Sequence, residues 1–550
     1  MILDSPLGLA LCSVALVVWL GARPWVIVSD PAAIRKVAYR SVERPASSSS
    51  FSHMLTGEPQ IVDAESDLWN RGDAWKASRR AFESVIMHPA KLAAHLPAAR
   101  RCAERFLAAL QQHAASGEGV EMKRLCGVVM LAITGEVAYG VDFWPEDGSP
   151  YGLAPAPGPS EDGQPGKEDR AGLDASAARG GPASQLTAAC YESIACLELS
   201  NATGYLPLQM LLPSLRPLWM WLAEHFPDAA QKRHMAARQK VADVSRQLMR
   251  QWQAARAGAA AAGDAADGVD AGGKTAGDPA AFREVGGGIS ASSFLAGMLE
   301  DRRRGAGGEV QRMSDLQVIS QGLTFILGGY DTSSSALSIL IFLLANNLAV
   351  QDKLRAELVA HPTALDNMEE LFRLPYLDAV LKEAQRLYPV GTFGWRDVAA
   401  DVDVGSGLVI PKGSFVCLSY YNALQDPQQW PQPQRFLPER FLPDSGGALG
   451  PSDPTAFVPF GSGARMCVGH KLAHLVRSSV VAVVVAVVVA VVVAVVVAVV
   501  VAVVMIKTVV SSLLLRYRVQ LHPRQHLPLR LKTGLVLSPA DGVWVTLQEL

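Results

Sequence analysis

Toward its C-terminal end this 550-residue chain carries Phe460-Gly461-Ser462-Gly463-Ala464-Arg465-Met466-Cys467-Val468-Gly469, one cysteine in a glycine-rich loop with an arginine two residues before it. A thiol binds a metal as the thiolate, which a neighbouring cation favours, and backbone approaches a flat macrocycle closely only where no Cβ collides. Gly461, Gly463, Gly469 and Arg465 meet those needs, so Cys467 is the candidate ligand to a haem iron. The plain alternative is a buried, inert thiol, the usual state of a lone cysteine.

The loop resembles the haem-ligand signature F-x-x-G-x-R-x-C-x-G of the cytochrome P-450 superfamily, the haem-thiolate monooxygenases. The matching positions are Phe460, Gly463, Arg465, Cys467 and Gly469, with Ala464 where a proline is common. At average residue usage, five such matches arise by chance on the order of once in ten thousand chains. Other segments extend the resemblance. Gly328-Gly329-Tyr330-Asp331-Thr332-Ser333 sits inside a long apolar helical pattern from Leu316 to Asn346. Each of the two glycines weakens a helix by about 1 kcal/mol relative to alanine, so they imply either close helix packing or a local opening of the hydrogen-bond ladder. The segment is similar to the family's A/G-G-x-D/E-T motif, which implies that Thr332 hydrogen-bonds where dioxygen is activated and that Asp331 helps relay protons from solvent.

Glu383 and Arg386 are three apart on one helix face, a spacing worth only a few tenths of a kcal/mol when exposed. The resemblance implies more: with Arg440 of Pro438-Glu439-Arg440-Phe441 they would form a buried structural clamp beneath the haem. It also implies that Trp75 and Arg79, in a W-x-x-x-R pattern, contact the cofactor, and that Arg79, Arg396 and Arg465 face its propionates. Phe460 and Gly461 complete the cofactor-binding set.

These residues need a scaffold, and composition supplies one. At 49% hydrophobic residues the chain can bury a large core. A formal charge of -2 gives no field to attract a polyanion, which excludes nucleic acid as a partner. The seven scattered cysteines include no C-x-x-C pair, which fits a reducing compartment better than a disulfide framework. Helical periodicity over Arg79 to Ala115 and Pro217 to Ala257 makes the chain mainly α. Residues 21–31 read as a short strand that stops at a turn or helix start. The fold class is mainly α with small β-sheets, the cytochrome P-450 fold by resemblance, with disordered insertions at 145–185 and 255–290, where Gly, Ala, Pro and Asp dominate.

Two apolar segments bear on membranes. Residues 1–20 form a short or truncated membrane anchor, and 21–550 one haem-thiolate domain. Val480 to Val504 contains only Val and Ala, with an alanine every fourth residue. As a helix it would run about 37 Å, enough to cross a bilayer. A crossing would divide Cys467 from the terminal strands that the resemblance keeps in the same domain. The tract therefore reads as a repeat expansion lengthening the helix after the cysteine loop.

The function implied is a monooxygenase with haem b (iron protoporphyrin IX), inserting one atom of O2 into a lipophilic substrate. With no P-loop, Rossmann fingerprint or flavin domain evident, electrons must come from a separate partner, by resemblance an NADPH-dependent flavoprotein reductase. Lys76, Arg80, Lys471 and Arg477 could receive it. Residues 51–59, 205–212 and 390–395 are the apolar candidates for the substrate pocket. The closest likeness is to the eukaryotic microsomal branch of steroid and drug oxidases, thromboxane synthase and plant strigolactone-precursor oxidases. It implies membrane association, at the endoplasmic reticulum with the catalytic domain facing the cytosol, or in a plastid. The alternatives are a haem-thiolate isomerase or dehydratase, and a degenerate haem-binding protein without turnover.

Overall fold

The computed structural model describes residues 15–20, 23–41, 43, 71–73, 75–76, 79, 96–116, 119–140, 142–144, 189–190, 192–193, 203–205, 207–208, 212–261, 284–285, 289–290, 293–300, 303–304, 310–311, 313–365, 367–405, 407–443, 449–467, 497–533 and 536–550. The first described element is a hairpin, β1 (Ala15–Leu20) and β2 (Arg23–Val28), in antiparallel register from Ala15 opposite Val28 to Leu20 opposite Arg23. Residues 15–20, read from the sequence as the end of an anchor, are thus sheet. Their Val and Trp content suits a strand, and β2 supplies the ladder partners that a lone apolar helix would not need. Residues 1–14 lie outside the described residues. Asp30 then caps helix α1 (Pro31–Arg40), its carboxylate accepting from Ala33 N at 2.7 Å, with Pro31 in the first turn where its missing N–H costs nothing.

The mainly α reading holds. Helix α2 (Leu96–Ser116), the short strand β3 (Val120–Glu121) and α3 (Met122–Tyr139) precede α4 (Arg216–His225) and α5 (Ala229–Ala261). The periodic stretch 217–257 divides at Pro227 because Asp228 and Gln231 cap α5 reciprocally, Gln231 N donating to Asp228 Oδ1 at 2.8 Å and Asp228 N to Gln231 Oε1 at 2.9 Å. The insertion at 145–185 lies outside the described residues. The one at 255–290 is narrower than its composition indicates: α5 continues through Ala261, and Glu284–Val285 pairs with Ile289–Ser290. Residues 262–283 lie outside the described residues.

Helix α6 (Asp315–Asn346) begins at a capping box formed by Ser314 and Gln317 and runs on without a break through Gly328 and Gly329. It is long and apolar enough to cross a bilayer, but most of its apolar length is buried inside the protein. Its largest interface is with α3. There a Cβ on Gly329 would stand 2.8 Å from Thr134 Cγ2, whereas one on Gly328 would meet nothing within 4 Å among the described residues. Close packing therefore accounts for Gly329, and the helix shows no opening at the pair.

After α7 (Leu348–Ala360) and α8 (Pro375–Leu387), β4 (Phe393–Asp397) and β5 (Phe415–Ser419) complete a four-stranded sheet in the order β1-β2-β5-β4. Strand β5 is parallel to β2 and antiparallel to β4. Helix α9 (Val497–Arg516) begins within the Val/Ala tract and, past its end, buries Met505, Ile506, Val509, Val510, Leu513 and Leu514 against α6, α2 and α7. Residues 480–496 lie outside the described residues. Strands β6 (Tyr517–Leu521) and β7 (Trp544–Glu549) join β3 in a second sheet, ordered β6-β7-β3.

Lys507 on α9 is fully buried, its Nζ 3.4 Å from Asp378 Oδ1 on α8 and 4.8 Å from the Phe372 ring centroid. Burial pushes the Lys507 ammonium pKa down. Burial raises that of Asp378, but Lys507 and Lys382 outweigh it and hold the carboxyl below its usual range.

Substituting Gly329→Ala should cost about 1–3 kcal/mol in chemical denaturation, because Thr134 cannot give way freely. Gly328→Ala should be neutral or stabilising by up to about 1 kcal/mol. Since the folded Asp378 pKa is depressed, its contribution is present above the ordinary carboxylate range and disappears as pH falls through the folded value. Acid unfolding of Asp378→Asn should accordingly begin from a lower plateau and lose less over that window than the parent, as read by circular dichroism.

Candidate haem-thiolate site

The cysteine loop is shaped by its own backbone. Gly461 N donates to Val458 O at 3.0 Å, Met466 N to Gly463 O at 2.9 Å and Cys467 N to Phe460 O at 2.9 Å, which folds Phe460 and Cys467 together. Gly461 and Gly463 have φ of 77° and 74°, in the left-handed region that glycine adopts without strain. Both are also pressed by neighbours. A Cβ on Gly463 would collide with the carbonyl of Ala38 on α1, and one on Gly461 would lie 2.9 Å from the Tyr420 hydroxyl.

Cys467 stands apart from the other described cysteines. It is exposed, whereas Cys102, Cys126 and Cys190 are buried and Cys417 is half-buried. Burial pushes the thiols of Cys102, Cys190 and Cys417 up to about 12, which keeps them protonated and inert.

The W-x-x-x-R segment touches the cysteine loop at two points. Arg465, with a buried side chain, stacks its guanidinium 3.8 Å from the centroid of the Trp75 ring. Arg79 Nη1 and Nη2 donate to Met466 O at 3.3 and 3.4 Å, one residue before the cysteine. Trp75 and Arg79, four apart in the chain, thereby both hold the loop.

Arg396 comes from β4. It is 2% exposed, and although Nη1 donates to Trp395 O at 2.7 Å, Nε and Nη2 have no hydrogen-bond partner among the described residues. Burial pushes its pKa down, opposed by the Tyr420 hydroxyl. A buried guanidinium with idle donors is costly unless an anion meets it. A macrocycle that carries carboxylates fits this cradle of arginines, positive-φ glycines and one exposed thiol.

The clamp is fully buried. Arg386 Nε and Nη2 bind Glu383 Oε2 and Oε1 at 2.8 and 2.9 Å, and Arg440 Nε donates to Glu383 Oε1 at 3.0 Å. Two guanidiniums against one carboxylate leave a net positive charge. Backbone carbonyls absorb it: Arg386 also donates to Leu424 O at 3.0 Å and Pro433 O at 2.7 Å, and Arg440 to Leu449 O at 2.9 Å and Gln432 O at 2.6 Å.

On α6, the Thr332 hydroxyl donates to the Gly328 carbonyl. Asp331 Oδ1 lies 3.3 Å from Lys123 Nζ on α3, and that ammonium also donates to the hydroxyls of Ser334 and Ser335 at 2.8 and 2.9 Å. The Asp331 side chain retains 31% exposure, so solvent reaches it despite the ion pair.

Of the remaining candidates, Lys76 is exposed and paired with Asp73 at 2.9 Å. Arg80, Lys471, Arg477 and residues 51–59 lie outside the described residues. Leu208 and Leu212, read as pocket-lining, are 38% and 46% exposed. Residues 390–395 end in an aromatic group in which Trp395 meets Trp25 and Phe415 at centroid distances of 5.4 and 5.0 Å. Sequence reasoning misses Tyr420, Lys123 and Glu43, none of which carries a local pattern. Each acts on residues far along the chain.

A family model described as Cytochrome P450 matches residues 15–156 and 188–485. Among curated proteins, the chain is 42% identical over 163 residues to cytochrome P450 3A31 of Mesocricetus auratus and 40% identical over 163 residues to cytochrome P450 3A2 of Rattus norvegicus. Each match covers 29% of this chain and 32% of the relative. Cytochrome P450 3A56 of Fundulus heteroclitus is 35% identical over 204 residues, 36% of this chain and 40% of the relative. The chain thus spans about a third of the length of the first two relatives it matches.

Replacing Glu383 by Ala should destabilise the fold by about 3–5 kcal/mol, because two buried guanidiniums lose their counter-ion. Urea denaturation of the two proteins measures the difference.

Proposed function

We infer the function from one premise: this chain belongs to the cytochrome P450 family. It is a haem-thiolate monooxygenase that inserts one oxygen atom from O2 into a lipophilic organic substrate. The observation that carries the reading is the pairing of an exposed Cys467 in a glycine-shaped loop with the idle, buried donors of Arg396. Cys467 would ligate the iron of haem b, while Arg79, Arg396 and Arg465 would neutralise its propionates, with Trp75, Phe460 and Gly461 completing the cradle. When bound, haem supplies an iron centre at which thiolate donation favours cleavage of dioxygen.

The protein's own residues supply binding and protons. Thr332 offers a hydroxyl that donates to the Gly328 carbonyl and would turn toward a ligand. Asp331, part exposed and held by Lys123, would exchange protons with solvent and pass them toward Thr332. Glu383, Arg386 and Arg440 touch no reacting atom in this scheme and keep the underlying backbone fixed.

Electrons come from a separate NADPH-dependent flavoprotein reductase, and the protein works at a membrane, that of the endoplasmic reticulum with the catalytic domain facing the cytosol. The names of the relatives support the monooxygenase class.

Purified protein, reduced and exposed to carbon monoxide, should show the long-wavelength Soret band of a thiolate-bound haem. Cys467→Ser should abolish that band, and Arg396→Ala should lower haem occupancy while leaving the band position unchanged. A folded parent protein that holds no haem, or a band that survives loss of the Cys467 sulfur, sinks the proposal.

A further inference from the structure

One residue outside every motif touches all three segments that bear the candidate propionate arginines. Glu43 Oε2 accepts from Gly72 N at 3.2 Å and lies 3.7 Å from Arg71 Nε, just ahead of Trp75 and Arg79. The same oxygen is 3.9 Å from Arg465 Nη2 in the cysteine loop. The backbone carbonyl of Glu43 accepts from Asp397 N at 3.1 Å, next to Arg396 on β4. Arg71 closes the ring by reaching Asp397 Oδ2 at 3.7 Å.

The arrangement does what a local pair could not. Arg465 is held on two sides, by the Trp75 ring at 3.8 Å and by the Glu43 carboxylate. The Gly72 amide is fixed by that carboxylate, which sets where Trp75 and Arg79 begin. The main-chain bond to Asp397 ties in the strand of Arg396. Without a tie, arginines that face one anionic ligand would repel one another. A carboxylate behind them offsets that repulsion and fixes their spacing.

We propose that Glu43 is a positioning residue for the haem, one that couples the segments of Arg79, Arg396 and Arg465 and sets the net positive charge they present to the propionates. The inference rests on the haem-thiolate reading of the Cys467 loop. It assigns Glu43 no contact with haem or substrate. Its effect passes through Arg465, Arg71 and the Gly72 amide.

The test uses the haem-loaded full chain and reads haem transfer to excess apomyoglobin together with the haem midpoint potential. Glu43→Ala should release haem about tenfold faster, the scale of loss seen when groups supporting a cofactor's contacts are removed. Glu43→Gln keeps an oxygen to accept the Gly72 N–H but lacks the charge. It should release haem more slowly than Glu43→Ala and move the midpoint potential upward, since a nearby negative charge no longer opposes reduction. The effects of Glu43→Ala and Arg465→Leu on release should be non-additive, as expected of residues acting through one contact.

Should Glu43→Ala fail to load haem, Glu43→Gln carries the test alone. A Glu43→Gln protein with parental release rate and potential, or additive effects with Arg465→Leu, overturns the proposal, as does a lowered melting temperature with neither haem property changed. A parent chain that binds no haem refutes the cysteine-loop reading instead, so the two failures are told apart.

Discussion

A single carboxylate, Glu383, sits fully buried between two guanidiniums, and the architecture around the cysteine loop depends on its being satisfied. Charges removed from water cost several kcal/mol each unless paired and hydrogen-bonded. Glu383 and Arg386 come from α8, but the rest of the bonding comes from residues 424–449. The network is therefore complete only when that irregular segment has packed onto α8. Leu437 N donates to Glu383 Oε1 at 3.0 Å, and the Arg386 guanidinium lies 5.5 Å from the Trp430 ring centroid, so even non-motif parts of the segment are held. The clamp adds little net stability, yet it leaves the chain leading to Cys467 few alternative paths.

From that fixed segment the loop is set by contacts of a different kind. Ala38 on α1 and Tyr420 after β5 stand where side chains on Gly463 and Gly461 would need to be. Helix α1 is itself placed through the Asp30 cap and the hairpin, and Tyr420 begins the short helix that directly follows β5. Backbone shape on one side and arginine placement on the other are thus separate tasks, assigned to separate elements. Trp75 and Arg79 join them, by touching Arg465 and the Met466 carbonyl.

How much of this is legible in sequence depends on the distance between the cooperating residues. The Phe460–Cys467 hydrogen bond, the Thr332–Gly328 bond and the Glu383–Arg386 pair lie within one loop or one or two helical turns, so spacing alone locates them. Arg440 is reached only because a second motif repeats the family pattern. Glu43, Tyr420 and Lys123 act on residues in other elements, well beyond the reach of any local pattern, and no periodicity announces them. The strand Ala15–Leu20 is read as the end of an anchor for a related reason: apolar composition fits a membrane helix and a sheet strand equally, and the deciding partner, β2, is a separate segment. The glycine pair shows the same limit, since Gly329 answers to Thr134 on α3 and Gly328 does not.

The Val/Ala tract presses this point furthest. An alanine every fourth residue in a helix of 3.6 residues per turn drifts by about 40° per repeat, so the small residues wind around the helix and mark no single packing face. As a helix, such a repeat moved along its axis by one period would present nearly the same surface. Such a sequence gives hydrophobic drive without register. Register must come from residues that break the repeat, and the first of them in α9 are Met505, Ile506 and Lys507. Lys507 can be buried only where Asp378 meets it, which makes its position far more specific than that of any valine before it. Helix α9 is consequently fixed from its C-terminal half, by one ion pair and the apolar residues around it.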